Sequence, residues 1–171
     1  PKTLSSDELM RLTRRFTHSL GTNIGPEYDI PAPDMGTNGQ TMVWMMDTFL
    51  NASNANARYG QSHVVTGKTL ECGGSEGRDK ATAQGVVITL EEWAKERDVP
   101  LQSASAVIQG FGNAGSYAAS LLNERGTKIL AVCNSRAAIY NDGGLDIPAL
   151  LKYVDEKRTV AGFSDAQEIS L

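Results

Sequence analysis

The sequence predicts an α/β fold built on a βαβ unit, and two patterns in its second half predict that unit. An apolar strand pattern over 106–109 runs into Gly110-Phe111-Gly112-Asn113-Ala114-Gly115 and then into a helical pattern over 117–125. A second apolar run, over 128–133, follows this helix at the spacing of a parallel strand pair. The predicted fold class is therefore α/β, with the first part of a Rossmann-like domain in the second half of the chain.

A helix is predicted near the start of the chain. Ser5 and Glu8 form an SxxE capping box. The apolar stripe that follows consists of Leu9, Leu12, Phe16 and Leu20. Arg14 and Arg15 fall off this stripe, so we expect them on a solvated face or at a subunit contact.

A second helix is predicted from a TxxQ box at Thr37 and Gln40. Its apolar stripe has helical spacing and consists of Met42, Met45, Met46, Phe49 and Leu50. A methionine stripe of this kind is typical of a core rather than a ligand site. The segment 51–60 is interpreted as a frayed helix end and a loop.

The segment 73–77 is the best candidate for a domain boundary, because three glycines in five residues can absorb a hinge rotation. Asp79 is then predicted to cap a helix that ends near residues 98–100. The predicted apolar face of that helix consists of Ala83, Val86, Val87, Leu90 and Trp93.

After the βαβ unit, residues 141–144 give a turn signal and Asp146 is predicted to cap a last helix. One face of that helix carries Ile147, Leu150, Leu151 and Val154. The tail from Thr159 is too short to complete a doubly wound sheet.

The glycine-rich turn has the chemistry of a phosphate site. Gly110 permits the tight turn, Gly112 lets a pyrophosphate approach the backbone, and Gly115 lets the helix pack closely on its strand. The amides around Asn113 and Ala114 begin a helix, where partial positive charge favours a phosphate. A glycine-rich turn that serves packing alone is the alternative.

The end of the second strand departs from the usual dinucleotide fingerprint. Asn134-Ser135-Arg136 stands where an acidic residue would bind a ribose hydroxyl. Arg136 is interpreted either as a partner for a 2′-phosphate or as a solvated loop residue.

Composition narrows the function classes. The chain has 171 residues, is 40% hydrophobic and 21% charged, and carries a net charge of -4. This charge argues against nucleic acid as a partner, and the absence of a long apolar run or leader pattern argues against a membrane. Cys72 and Cys133 lie far apart, which suits reduced thiols and predicts a cytoplasmic location. His18 and His63 have no companions at metal-ligand spacing, so no metal is predicted.

Two further segments carry a family resemblance. They are Ile24-Gly25-Pro26-Glu27-Tyr28-Asp29-Ile30-Pro31-Ala32-Pro33-Asp34-Met35-Gly36-Thr37-Asn38 and the stretch 66–82, which contains Gly73-Gly74-Ser75-Glu76-Gly77-Arg78. With the GxGxxG turn they strongly resemble the hexameric glutamate dehydrogenases, over practically the whole chain. The leucine, valine and phenylalanine dehydrogenases share the layout, but the segment 31–47 resembles the glutamate branch.

The resemblance implies an organisation and an activity. Residues 1–72 would be the end of a substrate and oligomerisation domain, and residues 73–171 the first part of a Rossmann-like NAD(P)-binding domain. The implied reaction is the reversible, NAD- or NADP-dependent oxidative deamination of glutamate to 2-oxoglutarate and ammonia in a homohexamer. Asn134 favours NADP slightly, because it removes a negative charge that would repel a 2′-phosphate.

The resemblance also implies site residues. Asp34 matches the family carboxylate that transfers a proton, although an Asp after Pro is otherwise typical of a turn. Thr82 matches a threonine near the nicotinamide amide, although it would otherwise satisfy helix backbone. The remaining implied cofactor-binding residues are Gly110, Phe111, Gly112, Asn113, Ala114, Asn134 and Ser135.

Other positions leave alternatives open. Lys68 and Arg78 either steer substrate carboxylates or lie on the surface. Ala137-Ala138 and Gln84-Gly85 depart from the usual family pattern. The family's glycine-rich motif with its catalytic lysine would precede Pro1, so the chain alone is expected to be inactive. The alternative functions are a non-catalytic nucleotide-binding or assembly module and a dehydrogenase for another amino acid.

Overall fold

The structure is a computed structural model that describes residues 4–52 and 60–170. The chain divides into two compact units, Pro1–Arg78 and Asp79–Leu171. Most of the loop predicted over 51–60 lies outside the described residues.

The first unit is a helix pair with a small core. Helix α1 spans Ser6–Leu20 and helix α2 spans Gly39–Ala52. Short 3-10 turns occupy Gly21–Asn23, Gln61–Val64 and Leu70–Cys72. The core consists of Ile24, Met42, Met45, Val64 and Val65. The predicted core role of the α2 methionines is therefore confirmed for the two that are fully buried.

The predicted capping box of α1 is confirmed, but its predicted apolar stripe is only partly buried. The Ser5 side chain accepts a hydrogen bond from the Glu8 amide, and the Glu8 carboxylate accepts one from Ser5. Leu12 and Phe16 are 55% and 56% exposed. The buried positions are Thr13 and Thr17 instead.

Two predictions at the α1 and α2 helices are wrong in detail. The reciprocal cap of α2 is formed by Asn38 and Thr41, whose side chains each accept the other's amide, and not by Thr37 and Gln40. Arg14 is half-buried rather than fully solvated: it forms an ion pair with Asp47 and a hydrogen bond to Thr48, both in α2. Arg14 therefore ties the two helices together within the chain.

The second unit is built around a four-stranded sheet. The strands are β1 (Ser105–Gln109), β2 (Lys128–Cys133), β3 (Ala138–Tyr140) and β4 (Gln167–Ile169), in the order β1-β2-β3-β4. Strands β1 and β2 are parallel, as the predicted βαβ unit requires. The pairs β2·β3 and β3·β4 are antiparallel, and the sequence patterns did not predict β3 or β4.

Three helices flank this sheet: α3 (Ala81–Arg97), α4 (Asn113–Glu124) and α5 (Ile147–Lys157). The core between them contains, among others, Val87, Phe111, Ala119, Leu122, Val132, Ile139, Leu150 and Phe163. Asp146 caps α5 by accepting the Ala149 amide at 3.0 Å, as predicted.

The predicted apolar face of α3 is wrong at two positions. Val86 and Trp93 are 50% and 48% exposed. The buried residues are Ala83, Val87 and Ala94, of which Ala83 and Val87 belong to the predicted face. The chain therefore presents apolar side chains on a second face of α3.

Among the described residues, no helix is long and apolar enough to cross a membrane.

Candidate dinucleotide site and the Asp34 loop

The turn between β1 and α4 is anchored to the neighbouring strand. The amides of Gly110 and Phe111 both donate to the carbonyl oxygen of Cys133, at 2.9 and 2.8 Å. Gly110 has a φ of +94°, a conformation that favours glycine. The Phe111 side chain is buried in the core. Phe111 therefore holds the turn in place, and its amide is already engaged within the protein.

The N-terminus of α4 is open for an anion. Its N-cap is Gly112, and no side chain in the described ranges 4–52 and 60–170 caps the helix. The first helical hydrogen bond runs from Ser116 to the carbonyl of Gly112, at 2.9 Å. The amides of Asn113 and Ala114 thus have no intrahelical acceptor, and the helix dipole adds partial positive charge at this end. Nothing lies within 4 Å of the position a Cβ at Gly112 would take.

Gly115 has the packing role that the motif predicts. A Cβ at this position would lie 1.9 Å from the Gly110 carbonyl oxygen and 3.2 Å from Cγ2 of Ile108. No side chain fits there without moving the backbone. The absence of a Cβ at Gly115 therefore fixes how closely α4 approaches the end of β1, and with it the shape of the phosphate turn.

Asn134 organises the turn from β2 to β3. Its Oδ1 accepts the amides of Arg136 and Ala137, at 2.8 and 3.0 Å, and its own amide donates to the Ala137 carbonyl at 2.9 Å. Ser135 and Arg136 are exposed. Because Gly110 and Phe111 bond to Cys133, this turn and the phosphate turn lie at the same end of the parallel strand pair. The structure brings these predicted cofactor residues together.

The N-terminus of α3 carries Thr82 and differs from its prediction. The N-cap is Lys80, with no side-chain cap, so Asp79 does not cap the helix as predicted. The Asp79 carboxylate instead accepts a hydrogen bond from the Tyr117 hydroxyl at 2.8 Å. Thr82 stands in the first turn of α3 and is exposed. Asp79 and Tyr117 are 38 positions apart, and sequence reasoning missed their contact because local pattern carries no signal for it.

Hydrogen bonding from Tyr117 holds the pKa of Asp79 below its ordinary value. The same bond raises the pKa of Tyr117, because ionising the phenol would place two negative charges side by side. Both shifts favour an ionised carboxylate and a neutral phenol near neutral pH. The pair is therefore a charge-assisted hydrogen bond between the start of α3 and the second turn of α4.

Asp34 lies in the first unit, on a short and highly bonded loop. Its amide donates to Oγ1 of Thr37 at 2.7 Å, and Thr37 returns a hydrogen bond to the Asp34 carbonyl. One carboxylate oxygen of Asp34 accepts the Met35 amide at 2.7 Å. The side chain is exposed. These bonds are those of a turn, and one of them, from the Met35 amide, orients the exposed carboxylate.

The loop is supported from the segment that follows α2. The Thr66 amide donates to the Pro31 carbonyl at 3.0 Å. Gly67 has a φ of +68°, and a Cβ there would lie 2.6 Å from the Pro33 ring. Lys68 donates from Nζ to the Val65 carbonyl at 3.0 Å, so its ammonium group is engaged with backbone. Arg78 is half-buried in the same unit.

Two cavities in the second unit lie away from the candidate dinucleotide site. One of about 470 Å³ is lined by residues near the C-termini of α3 and α4, and one of about 280 Å³ by residues at the start of β2. Neither is lined by a predicted cofactor residue. A phosphate cradle made of backbone amides at a helix end is an open surface feature, so a cavity is not needed to form it.

The chain belongs to the Glutamate/Leucine/Phenylalanine/Valine dehydrogenase family, whose model matches residues 73–170. The dimerisation domain of the same family matches residues 1–51. These matches confirm the resemblance that the sequence motifs carry.

Particular relatives include two curated glutamate dehydrogenases. The chain is 44% identical over 151 residues to the catabolic NAD-specific glutamate dehydrogenase RocG of Bacillus subtilis, covering 88% of the chain and 35% of that protein. It is 46% identical over 170 residues to glutamate dehydrogenase A2 of Halobacterium salinarum, covering 99% of the chain and 40% of that protein. The chain thus spans about two fifths of the length of these relatives.

Solved structures give the same result. The hetero-hexameric glutamate dehydrogenase of Thermus thermophilus, in its leucine-bound form, matches 97% of this chain with a TM-score of 0.86 and 38% identity. The chain covers 39% of that structure's chain. This similarity confirms the predicted α/β fold.

Proposed function

We propose that the protein containing this chain catalyses the reversible oxidative deamination of L-glutamate to 2-oxoglutarate and ammonia, with NAD or NADP as cofactor. The observation that carries this proposal is the open N-terminus of α4 behind Gly112, in a chain whose relatives are named glutamate dehydrogenases. An uncapped helix end with free space at the N-cap is what a pyrophosphate needs.

The residues of the second unit fit a dinucleotide. Asn113 and Ala114 offer amides to the pyrophosphate, and Gly112 leaves room for it. Thr82 lies on the helix that begins the unit and contacts the nicotinamide amide in this proposal. Asn134 and Ser135 face the adenosine ribose. A bound nicotinamide would accept the hydride that leaves the α-carbon of the amino acid.

Asp34 transfers the proton at the substrate nitrogen in this proposal. Loss of the hydride turns the amine into an iminium, and water then attacks its carbon, so a proton must leave and re-enter at nitrogen and oxygen. The carboxylate suits this role because the Met35 amide binds one of its oxygens and the Thr37 hydroxyl binds the backbone of the same loop, while the side chain stays exposed. A fixed base contributes more to the rate than one that must first be oriented.

The preference between NAD and NADP follows from charge at the end of β2. Asn134 is neutral, and the exposed Arg136 follows it in the same turn. A neutral residue does not repel a 2′-phosphate, and a guanidinium attracts it. We therefore favour NADP slightly, although the Bacillus relative is named as NAD-specific.

The remaining parts of the proposal concern organisation. Residues 1–72 form the end of the substrate and oligomerisation domain and residues 73–171 the first part of the cofactor domain. The complete enzyme is a cytoplasmic homohexamer. The family's catalytic lysine lies in a glycine-rich motif, and neither Lys68 nor Lys80 lies in such a motif. In this proposal, catalysis therefore needs a lysine from outside these 171 residues.

The proposal is tested by measuring kcat/KM for a panel of amino acids with the full-length protein that contains this chain. Glutamate, leucine, phenylalanine and valine are each supplied with NAD and with NADP, and reduced cofactor is followed by absorbance. Glutamate should give the highest kcat/KM. A higher value for another amino acid would favour the related dehydrogenases, and cofactor binding without turnover would favour a non-catalytic nucleotide-binding module.

A further inference from the structure

The second unit has two hydrogen bonds in which an exposed or half-buried tyrosine donates to an aspartate. Tyr140 and Asp142 form one at 2.9 Å, between neighbours on the same turn. Tyr117 and Asp79 form the other at 2.8 Å, between different elements. The first closes a local turn. The second is a long-range connection, and its placement gives it a further consequence.

Asp79 is the first residue of the second unit and lies two residues before α3 begins. The chain before it contains Gly73 and Gly77, both with a φ of +80°. The first turn of α3 has no side-chain cap, and its first buried residue is Ala83. Thr82 therefore stands between a glycine-rich segment and the first packed residue. The hydrogen bond that the Tyr117 hydroxyl donates to the Asp79 carboxylate ties this start to α4.

Tyr117 is equally well placed at the other end of the bond. It lies in the second turn of α4, directly behind Gly112, Asn113 and Ala114. The following residues Ala118 and Ala119 are buried, so this part of α4 is held firmly by the core. The hydrogen bond between Tyr117 and Asp79 thus connects the start of α3 to the helix that carries the phosphate turn.

We propose that the Asp79–Tyr117 hydrogen bond is a positioning contact that sets Thr82 at a fixed separation from the phosphate turn of α4. The inference rests on the proposed function, because it assigns the two helix starts to two parts of one dinucleotide. The covalent length from pyrophosphate to nicotinamide is fixed. If the N-terminus of α3 varies in position relative to α4, the nicotinamide end of the cofactor binds more weakly and is misplaced for reaction.

Two ligands separate this role from a general effect on the fold. NADH reaches from the phosphate turn to the nicotinamide contacts, whereas ADP-ribose contains the pyrophosphate and lacks the nicotinamide. The dissociation constant of each is measured with the full-length protein that contains this chain. The variants are Tyr117→Phe, which removes the donor, and Tyr140→Phe, the matched control that removes the local tyrosine–aspartate bond.

In Tyr117→Phe, the affinity for NADH should fall about fivefold to tenfold, the worth of one hydrogen bond to a charged group at a partly exposed site. Its affinity for ADP-ribose should stay within about twofold of wild type. Tyr140→Phe should leave both constants unchanged. Asp79→Asn keeps a carbonyl acceptor for the phenol and should retain most of the NADH affinity, whereas Asp79→Leu should resemble Tyr117→Phe.

The Tyr117→Phe/Asp79→Leu double variant should bind NADH no more weakly than either single variant, because both changes remove the same bond. Equal losses for NADH and ADP-ribose in Tyr117→Phe would overturn the inference, and so would NADH binding equal to wild type. Failure of the wild-type protein to bind NADH would instead overturn the proposed function and this inference together.

Discussion

Replacing Gly115 by alanine should destabilise the protein although alanine is the better helix former. The new Cβ would lie 1.9 Å from the Gly110 carbonyl oxygen, where real Cβ contacts are essentially never shorter than 3.0 Å. Helix α4 must therefore move by about 1 Å against its strand, at a cost of about 1–3 kcal/mol. Helix propensity returns at most about 1 kcal/mol. With the full return, the net loss is up to about 2 kcal/mol, or a melting temperature lowered by up to about 8 °C.

Gly85 provides the matched control for this substitution. It lies inside α3, and nothing lies within 4 Å of the position its Cβ would take. Gly85→Ala should therefore raise the melting temperature by about 1–4 °C, since it brings only the propensity gain of about 0.5–1 kcal/mol. Thermal unfolding followed by circular dichroism compares the two variants with wild type. Gly115→Ala melting above wild type, as Gly85→Ala should, would refute the packing argument.

Three further outcomes are expected. Asn134→Asp should raise the ratio of kcat/KM for NAD to that for NADP at least about tenfold, because the new carboxylate keeps both turn hydrogen bonds and repels a 2′-phosphate; an enzyme that already prefers NAD tenfold and does not respond would contradict this. Tyr117→Phe should lower the free energy of unfolding at neutral pH, because the Tyr117 bond that lowers the pKa of Asp79 stabilises the folded state when Asp79 is ionised. Urea titrations at decreasing pH should show this difference from wild type vanish as the pH falls through the lowered pKa, which lies below the usual value of about 3.9. A purified 171-residue chain should give no glutamate-dependent reduction of either cofactor, because neither Lys68 nor Lys80 matches the family's catalytic lysine; turnover by a monodisperse preparation would place the catalytic lysine within these residues.

The βαβ unit could be predicted closely because its signals are local. Strand β2 begins and ends at the predicted residues, Lys128 and Cys133. The glycine pattern also predicted the turn at Gly110 and the close packing at Gly115, since both depend on backbone geometry within a few residues. Strands β3 and β4 were missed because three residues carry too little alternation to reveal a strand.

Long-range contacts explain most other differences. Leu12 and Phe16 have helical spacing but are exposed, whereas Thr13 and Thr17 on the same helix are buried. Asp79 looks like a cap in sequence, yet its carboxylate bonds to Tyr117 far along the chain. Asn134 was interpreted from its place in the fingerprint, and its hydrogen bonds within the turn emerge only from the folded backbone.

Turnover of the full-length protein carrying Asp34→Asn tests the central claim most directly. Asparagine keeps the shape and can accept the Met35 amide, but it cannot carry a proton. Asp29→Asn is the matched control, since Asp29 is an exposed aspartate on the same segment and the charge change is identical. Loss of about 10² to 10⁴ in kcat with glutamate is expected for Asp34→Asn, with a smaller change in KM and near-normal kcat for Asp29→Asn. Near-normal kcat in a correctly folded Asp34→Asn enzyme would contradict the account and leave Asp34 as a turn residue.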